Sequence, residues 1–429
     1  MEKEIESLVE ILEAQEKPYL AQAIQSHAHL SIKNYSRELY SYKPILPLEQ
    51  ALDEAFQEEL TRLGYPTEES SNIRDYITRS RVIQTAPHLG ISHTSRMFCI
   101  DWISNSSLGK KDYYIVAMFS GIPFSNLTRP GCIHYGATTK LESLVKLPKD
   151  LEREQIISAE TRSAQTVSEV RKISFIPSSM QDALVYRSTI PSKAHHYAQY
   201  FTDTAKSVFA LPDEETSFSA WVLGNHSKIA KRLFPQTTSV YVDINEVIMS
   251  YIKKVLENDN HPITKILLKE EHQEQIIRAF GEKVCLFYGK SNSKHSKLET
   301  FILYKGFIQS KSTVIKLTKE NLLEAFESRD LCPGTLLVFT ILSLLNHFKC
   351  LGSFRQVEYL SKYKEEWQKL ALFTKYKPEK VPTDNLTTGM FPKQPNLHPI
   401  DILLGSENKS QSSDLFGEYL LTMKEVLIG

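Results

Sequence analysis

Two β-rich runs, RVIQT (81–85) and DYYIVAMFS (112–120), bracket a stretch that reads as a helix with Ile91, Phe98 and Trp102 on one face. Strand, turn, helix and strand at this spacing make a βαβ unit, and a βαβ unit implies a parallel sheet. The alternation returns further on. SVYVDI (239–244) reads as a strand, 245–259 as a helix, 265–281 as mostly helix closed by Gly281, and KVCLFYG (283–289) as a strand. FILYKGFI (301–308) and STVIKL (312–317) are two more β-rich runs, and 319–328, 334–349 and 358–371 read as helical.

The flanks differ from this centre. In 1–64, Ile5, Leu8, Val9 and Leu12 keep the spacing of one buried helix face, and a second helix is expected from Leu48 to Leu63. Five prolines among Lys, Thr, Asn and Ser make 375–414 read as a long irregular loop crossing the surface, with a last docking helix over 415–429. The predicted organisation is therefore an N-terminal helical region (1–75), a Rossmann-like α/β core (76–330), a helical region packed on it (331–374), and an irregular loop with a C-terminal helix (375–429). The fold class is α/β, a Rossmann-like parallel sheet core with added helical regions at both ends.

Charge and cysteine usage exclude several classes. Lys+Arg and Asp+Glu are equal at 51 each, which argues against a general electrostatic grip on nucleic acid or anionic lipid. The longest apolar stretch, LLVFTILSLL (336–345), is about half the ~20 residues a spanning helix needs, so it reads as a buried core helix. The start, MEKEIESLVEIL, is acidic and amphipathic, unlike a signal peptide. Five scattered cysteines without a C-x-x-C suit a reduced, cytoplasmic protein. No G-x-S-x-G or P-loop occurs, and neither His27-x-His29 nor His195-His196 has the i, i+4 spacing of a helical metal pair, so no metal site is expected.

Three stretches could carry chemistry. PHLGISH (87–93) falls where a strand gives way to a helix, whose free amides and dipole attract anions. His88 and His93 could donate to phosphate, and Gly90 would let it approach the backbone; alternatively both histidines merely cap and pack a βα turn. KSNSKHSK (290–297) offers Lys294 and Lys297, with Ser296, to neutralise charge on a leaving phosphate, or it is a solvated loop. CLGSFRQVEY (350–359) puts Gly352, Arg355, Gln356 and Tyr359 at a helix-to-helix junction. Arg355 there offers a fork for carboxylate or phosphate, or the stretch is a helix cap with a surface arginine. Asn126 and Arg129, in SGIPFSNLTRPG (120–131), would reach a substrate at the carboxyl edge of the sheet, or lie in an ordinary turn.

His88 and Gly90 resemble part of the His-x-Gly-His signature of class I aminoacyl-tRNA synthetases, with Ile91 in place of the second histidine. Lys294, Ser296 and Lys297 are similar to their Lys-x-Ser-Lys-Ser loop, with Leu298 departing from it. Pro333-Gly334, the apolar helix and Leu351-Gly352-Ser353 with Gln356 and Tyr359 resemble the late block of the bacillithiol cysteine-adding enzyme family. Thr85-Ala86-Pro87-His88 is loosely similar to that family's first turn, with Ala-Pro where the family has Gly. The family's C-terminal coiled coil has no counterpart in 375–429.

The resemblance spans roughly residues 80–365 unevenly. It implies a synthetase-type core, ATP or ADP as cofactor with Mg2+, and a bacterial biosynthetic ligase joining an amino acid to a small acceptor. His88, His93, Lys294 and Lys297 would be catalytic, Thr85, Gly90 and Ser296 would hold the cofactor, and Asn126, Arg129, Gly352, Arg355, Gln356 and Tyr359 the substrate. The alternatives are a non-catalytic α/β protein that binds a metabolite or a protein, and a transferase that needs no nucleotide. A small-molecule partner is expected, neither nucleic acid nor membrane is, and a homo-oligomer is permitted.

Overall fold

The computed structural model describes residues 1–90, 94–122, 132–136, 171–174, 202–290, 298–407 and 414–429. Helices α1 (Glu2–Ala14), α2 (Pro18–His27), α3 (Ile32–Tyr40), α4 (Gln50–Arg62) and α5 (Thr67–Ser80) precede the first strand. Then come β1 (Val82–Gln84), α6 (Ser95–Asn105), β2 (Tyr113–Met118), β3 (Cys132–Tyr135), β4 (Arg171–Ser174), α7 (Asp203–Val208), α8 (Phe218–Leu233) and β5 (Thr238–Asp243). After α9 (Ile244–Val255), α10 (Pro262–Leu268) and α11 (Glu270–Phe280) the chain runs through β6 (Cys285–Lys290), β7 (Leu298–Tyr304), β8 (Phe307–Gln309) and β9 (Val314–Lys316). It closes with α12 (Lys319–Glu327), β10 (Leu331–Pro333), α13 (Thr335–Phe339), β11 (Lys349–Leu351), α14 (Phe354–Lys369), α15 (Pro399–Leu403), α16 (Phe416–Leu421) and α17 (Lys424–Ile428).

The expected βαβ unit forms: β1 and β2 are parallel, joined through α6. With β5 and β11 they make a four-stranded sheet in the order β11-β1-β2-β5, every neighbouring pair parallel. Both faces are covered. Ile83, Ile115, Ala117, Val240, Val242 and Cys350 join a cluster with α4, α9 and α13. Val82, Tyr114, Val116, Met118, Tyr241 and Leu351 join one with α6 and α8. A parallel strand buried on both faces needs an unbroken apolar run, which is why YYIVAM was legible as a strand.

The later β-rich runs do not extend this sheet. They form a separate antiparallel one, β10-β6-β7-β8-β9, and FILYKGFI is two strands of it, the chain reversing at Lys305 and Gly306. The helix expected over 334–349 stops earlier. α13 passes into a π-helical turn, Thr340–Leu345, and Lys349–Leu351 becomes β11, in register with Val82–Gln84. The region 331–374 therefore supplies a strand to both the parallel and the five-stranded antiparallel sheet, and is not purely helical. The apolar stretch 336–345 is buried apart from the half-buried Thr335 before it. Among the described residues no helix is long and apolar enough to cross a membrane.

The proline-rich segment departs most from expectation. Val381, Leu386 and Phe391 have no solvent exposure, and Asn385, Thr387 and Thr388 are buried with them. Polar groups that suggested a surface loop are spent on the backbone. Gly352 N–H donates to Asn385 O (3.0 Å), Thr387 N–H to Gly352 O (2.9 Å), and Phe354 N–H to Thr388 Oγ1 (3.0 Å). The segment thus extends the pairing beyond β11, and Phe391 packs on Phe98, Trp102 and Tyr419 at 5.2, 6.0 and 6.0 Å between ring centroids. A loop crossing the surface would tolerate Phe391→Ala within about 0.5 kcal/mol. Buried as it is, we expect a loss of about 3–5 kcal/mol, read as the shift of the urea midpoint at unchanged slope.

Candidate functional site

From β1 the chain steps through β2 to β5 on one side, whereas β11 lies on the other side of β1. Connections therefore diverge between β1 and β11, and in open parallel sheets the carboxyl edge at such a point is where ligands bind. Each of these two strands leads into a helix there, β1 into α6 and β11 into α14, and each helix carries an arginine in its first turn.

Those arginines converge. The guanidinium carbons of Arg96 and Arg355 lie 5.2 and 5.8 Å from the centroid of the Phe354 ring. Burial, and then the charge of Arg355, hold the Arg96 guanidinium below its ordinary range. Neither arginine forms an ion pair with a described residue. Nearby amides are partly capped: Ser95 N–H donates to His398 Nδ1 (3.0 Å) and Met97 N–H to Thr94 Oγ1 (3.3 Å). The first bond fixes His398 as the tautomer protonated on Nε2. Two like charges held together repel one another, so an anion between them would relieve the repulsion and be gripped by two forks.

Three residues named from the sequence meet below this pair. Thr85 Oγ1 donates to Leu351 O (2.8 Å), and Gln356 Nε2 donates to Thr85 Oγ1 (2.9 Å) and Cys350 O (3.1 Å). Gly352 lies against them: a Cβ there would sit 2.1 Å from Gln356 Cδ. Thr85, Gly352 and Gln356 are all buried, and the polar groups of the two side chains are directed at each other and at the backbone. They fasten β1 to β11 and position the helix that carries Arg355. Tyr359, one turn further along α14, packs between Phe339 (5.6 Å) and Tyr363 (5.4 Å), and burial pushes its phenol up.

The first histidine turn is built differently from expectation. α6 starts at Ser95, beyond His88 and Gly90, so neither lies in its first turn. They continue the pairing instead. His88 bridges Phe119, Leu89 N–H donates to Phe119 O (3.0 Å), and Gly90 O accepts a hydrogen bond from His226 Nε2 (2.7 Å). His93, Asn126, Arg129, Lys294, Ser296 and Lys297 lie outside the described residues.

A second group at the same edge escaped the sequence reading. Beyond β2, Ser120 Oγ donates to Asp243 Oδ1 at the end of β5 (2.6 Å). Asp243 N–H donates to Glu59 Oε1 (2.8 Å), and Arg62 grips both oxygens of Glu59 (2.7 and 2.8 Å). Burial pushes the Glu59 carboxyl up to about 7, opposed by Arg62 and aided by the charge of Asp243. The available signal was position: Glu59 falls on the α4 stripe that also buries Leu52, Phe56 and Leu60. Arg96 had only its place after a βα turn.

Two outcomes follow. Gly352→Ala should lower stability by about 1–3 kcal/mol, because Gln356 is held on two sides, and Gly352→Ala/Gln356→Ala should lose less than the sum of the single changes. Glu59 binds its proton more tightly folded than unfolded, so its contribution is fully present below the ordinary carboxylate pKa of 4.5 and is lost as pH rises through about 7. Unfolding midpoints between those limits should therefore fall less steeply with pH in Glu59→Gln than in the unaltered chain. The chain matches no family model, no curated protein and no solved structure.

Proposed function

We propose that the chain binds a small phosphate-bearing metabolite of the nucleotide class at the carboxyl edge between β1 and β11. The observation that carries this is the Arg96–Arg355 pair on Phe354, two cations without an acidic partner among the described residues. The strand order supports it. Numbered by occurrence, β5-β2-β1-β11 is 3-2-1-4, the order of a Rossmann-type half, whose ligand phosphates lie beside the helix that follows its first strand. Arg96 stands in that helix.

A narrower reading makes the protein an ATP-dependent ligase, using Mg2+, that joins an amino acid to a small acceptor. It rests on the resemblance of 333–359 to the cysteine-adding family and on the chemistry of the pair. Two forks at fixed positions would neutralise charge developing on transferring or leaving phosphate oxygens, and the helix starts would orient them. On this reading Arg96 and Arg355 take the anion-binding part assigned from the sequence to His88 and Gly90. On the same reading the lysines of 290–297 would neutralise charge on the leaving phosphate; beyond Lys290, the end of β6, they lie outside the described residues.

Thermal unfolding with and without ATP, ADP and magnesium tests the reading. A ligand that binds only the folded chain adds about 2.7 kcal/mol at ~100 times its Kd, so the midpoint must rise. Arg96→Ala and Arg355→Ala should each weaken binding by roughly 10–100-fold, the worth of one charge-assisted hydrogen bond, and the double variant should show no rise. An unaltered chain that shows no rise with any of these ligands removes the proposal. A rise that survives in the double variant moves the nucleotide elsewhere.

A further inference from the structure

Between α4 and α9, at the β5 end of the sheet, a cavity of about 340 Å³ is lined by charged side chains of both signs. Glu58, Glu59 and Arg62 come from α4, Glu246, Lys253 and Lys254 from α9, and Arg329 from the turn after α12. Lys254 is shared by Glu54 (3.4 Å) and Glu58 (2.7 Å), Arg62 holds Glu59, and Arg329 pairs with Glu246. Lys253 is in no ion pair with a described residue, and its charge reaches Glu58 only through space. Among the described residues, the four bases of the wall are met by its three acids and by Glu54 beside it, and one of these acids, Glu59, is fully buried and protonates near neutral pH.

Arg329 adds an independent observation. It has φ +60°, directly after the last turn of α12, where Asp330 N–H closes onto Ala325 O (2.9 Å). Glycine is the residue favoured at such a helix end, and a side chain there is strained by about 1 kcal/mol. An arginine occupies the position, and its guanidinium lies on the cavity wall.

We propose that this cavity binds a small oxyanion, a carboxylate or a phosphate, between Arg62, Lys253 and Arg329, and that binding loads a proton onto Glu59. The oxyanion takes the Arg62 fork in place of the Glu59 carboxylate. Glu59, left buried beside Asp243 without its guanidinium, takes a proton from water through the buffer. A monoanion brings one negative charge that the proton offsets; hydrogenphosphate and succinate, dianions above pH 7, bring two, and the net charge of the cavity then falls by one. Glu58, Glu246 and Lys254, the other charges around Glu59, stay in their present pairs. The proposal does not rest on the Arg96–Arg355 reading.

The test uses the full chain carrying Arg96→Ala and Arg355→Ala, so that the β1–β11 edge cannot supply the signal. Inorganic phosphate and succinate are titrated calorimetrically above pH 7 in two buffers of different ionisation enthalpy. Binding of at least one of them with uptake of about one proton is expected, and the two arms separate phosphate from carboxylate. Adding Lys253→Ala, a change on a half-buried helix face, should weaken binding at least tenfold. Adding Glu59→Gln should keep binding but abolish the proton uptake. No heat of binding from either anion overturns the proposal, as does binding that Lys253→Ala leaves unchanged, or proton uptake that persists with Glu59→Gln.

Discussion

Three residues paired with three others, Val82–Gln84 with Lys349–Leu351, decide the shape of the carboxyl edge. The ladder closes a very long loop, and its own backbone bonds contribute only about 1 kcal/mol each. Both ends are therefore clamped. At the amino end Lys349 N–H donates to Arg81 O (2.7 Å), and the buried Arg81 side chain donates to Asn346 O (2.6 Å), just past the π-helical turn. At the carboxyl end Thr85 N–H and Oγ1–H both donate to Leu351 O (2.9 and 2.8 Å), and Gln356 joins them. Arg81 has no carboxylate partner among the described residues, and burial lowers it to about 10. Its worth lies in ending a helix where β11 must begin.

Features that bury on both faces were legible in the sequence. YYIVAM, and the VYV within SVYVDI, were legible because a parallel strand covered by helices on both faces is apolar there. β11 was hidden for the opposite reason: Lys349, Cys350 and Leu351 follow an apolar helix without a turn signal. What ends that helix is a set of contacts from distant residues, Arg81 on Asn346 O and Glu49 N–H on Asn346 Oδ1, which no local pattern contains. The segment 375–414 misled through composition. Its threonines and asparagines signal a solvated loop only while their hydrogen bonds are assumed to go to water.

For the site, position was easier to read than role. Thr85, expected to hold a cofactor, and Gly352 and Gln356, expected to hold a substrate, do meet, although Gln356 lies 271 residues from Thr85. Their chemistry is inward, because at a sheet edge the residues directly after the strands must satisfy the strands first. The two arginines stand instead in the first turns of the helices that follow the strands, Arg96 in α6 and Arg355 in α14. Arg355 was found and Arg96 was not, since an arginine after a βα turn has no spacing of its own. Glu59 needed the α4 stripe to be read for its polar member rather than its apolar ones.

The two cation-rich places belong to one edge, and Asn245 ties that edge to the antiparallel sheet. Its Oδ1 accepts from Gly121 N–H, just beyond β2 (3.1 Å), and its Nδ2 donates to Pro333 O, the end of β10 (2.8 Å). Both amide groups are used, so its orientation is fixed. Gly121 fits because it lacks a Cβ, which would lie 2.7 Å from Cys332 Sγ and 2.8 Å from Asn245 Nδ2. β10 in turn pairs Cys332 with Tyr288 of β6. The strand that delivers Lys290 to the lysine run is thereby registered, through one asparagine and one glycine, against the same edge that carries Asp243 and, two strands away, Arg96.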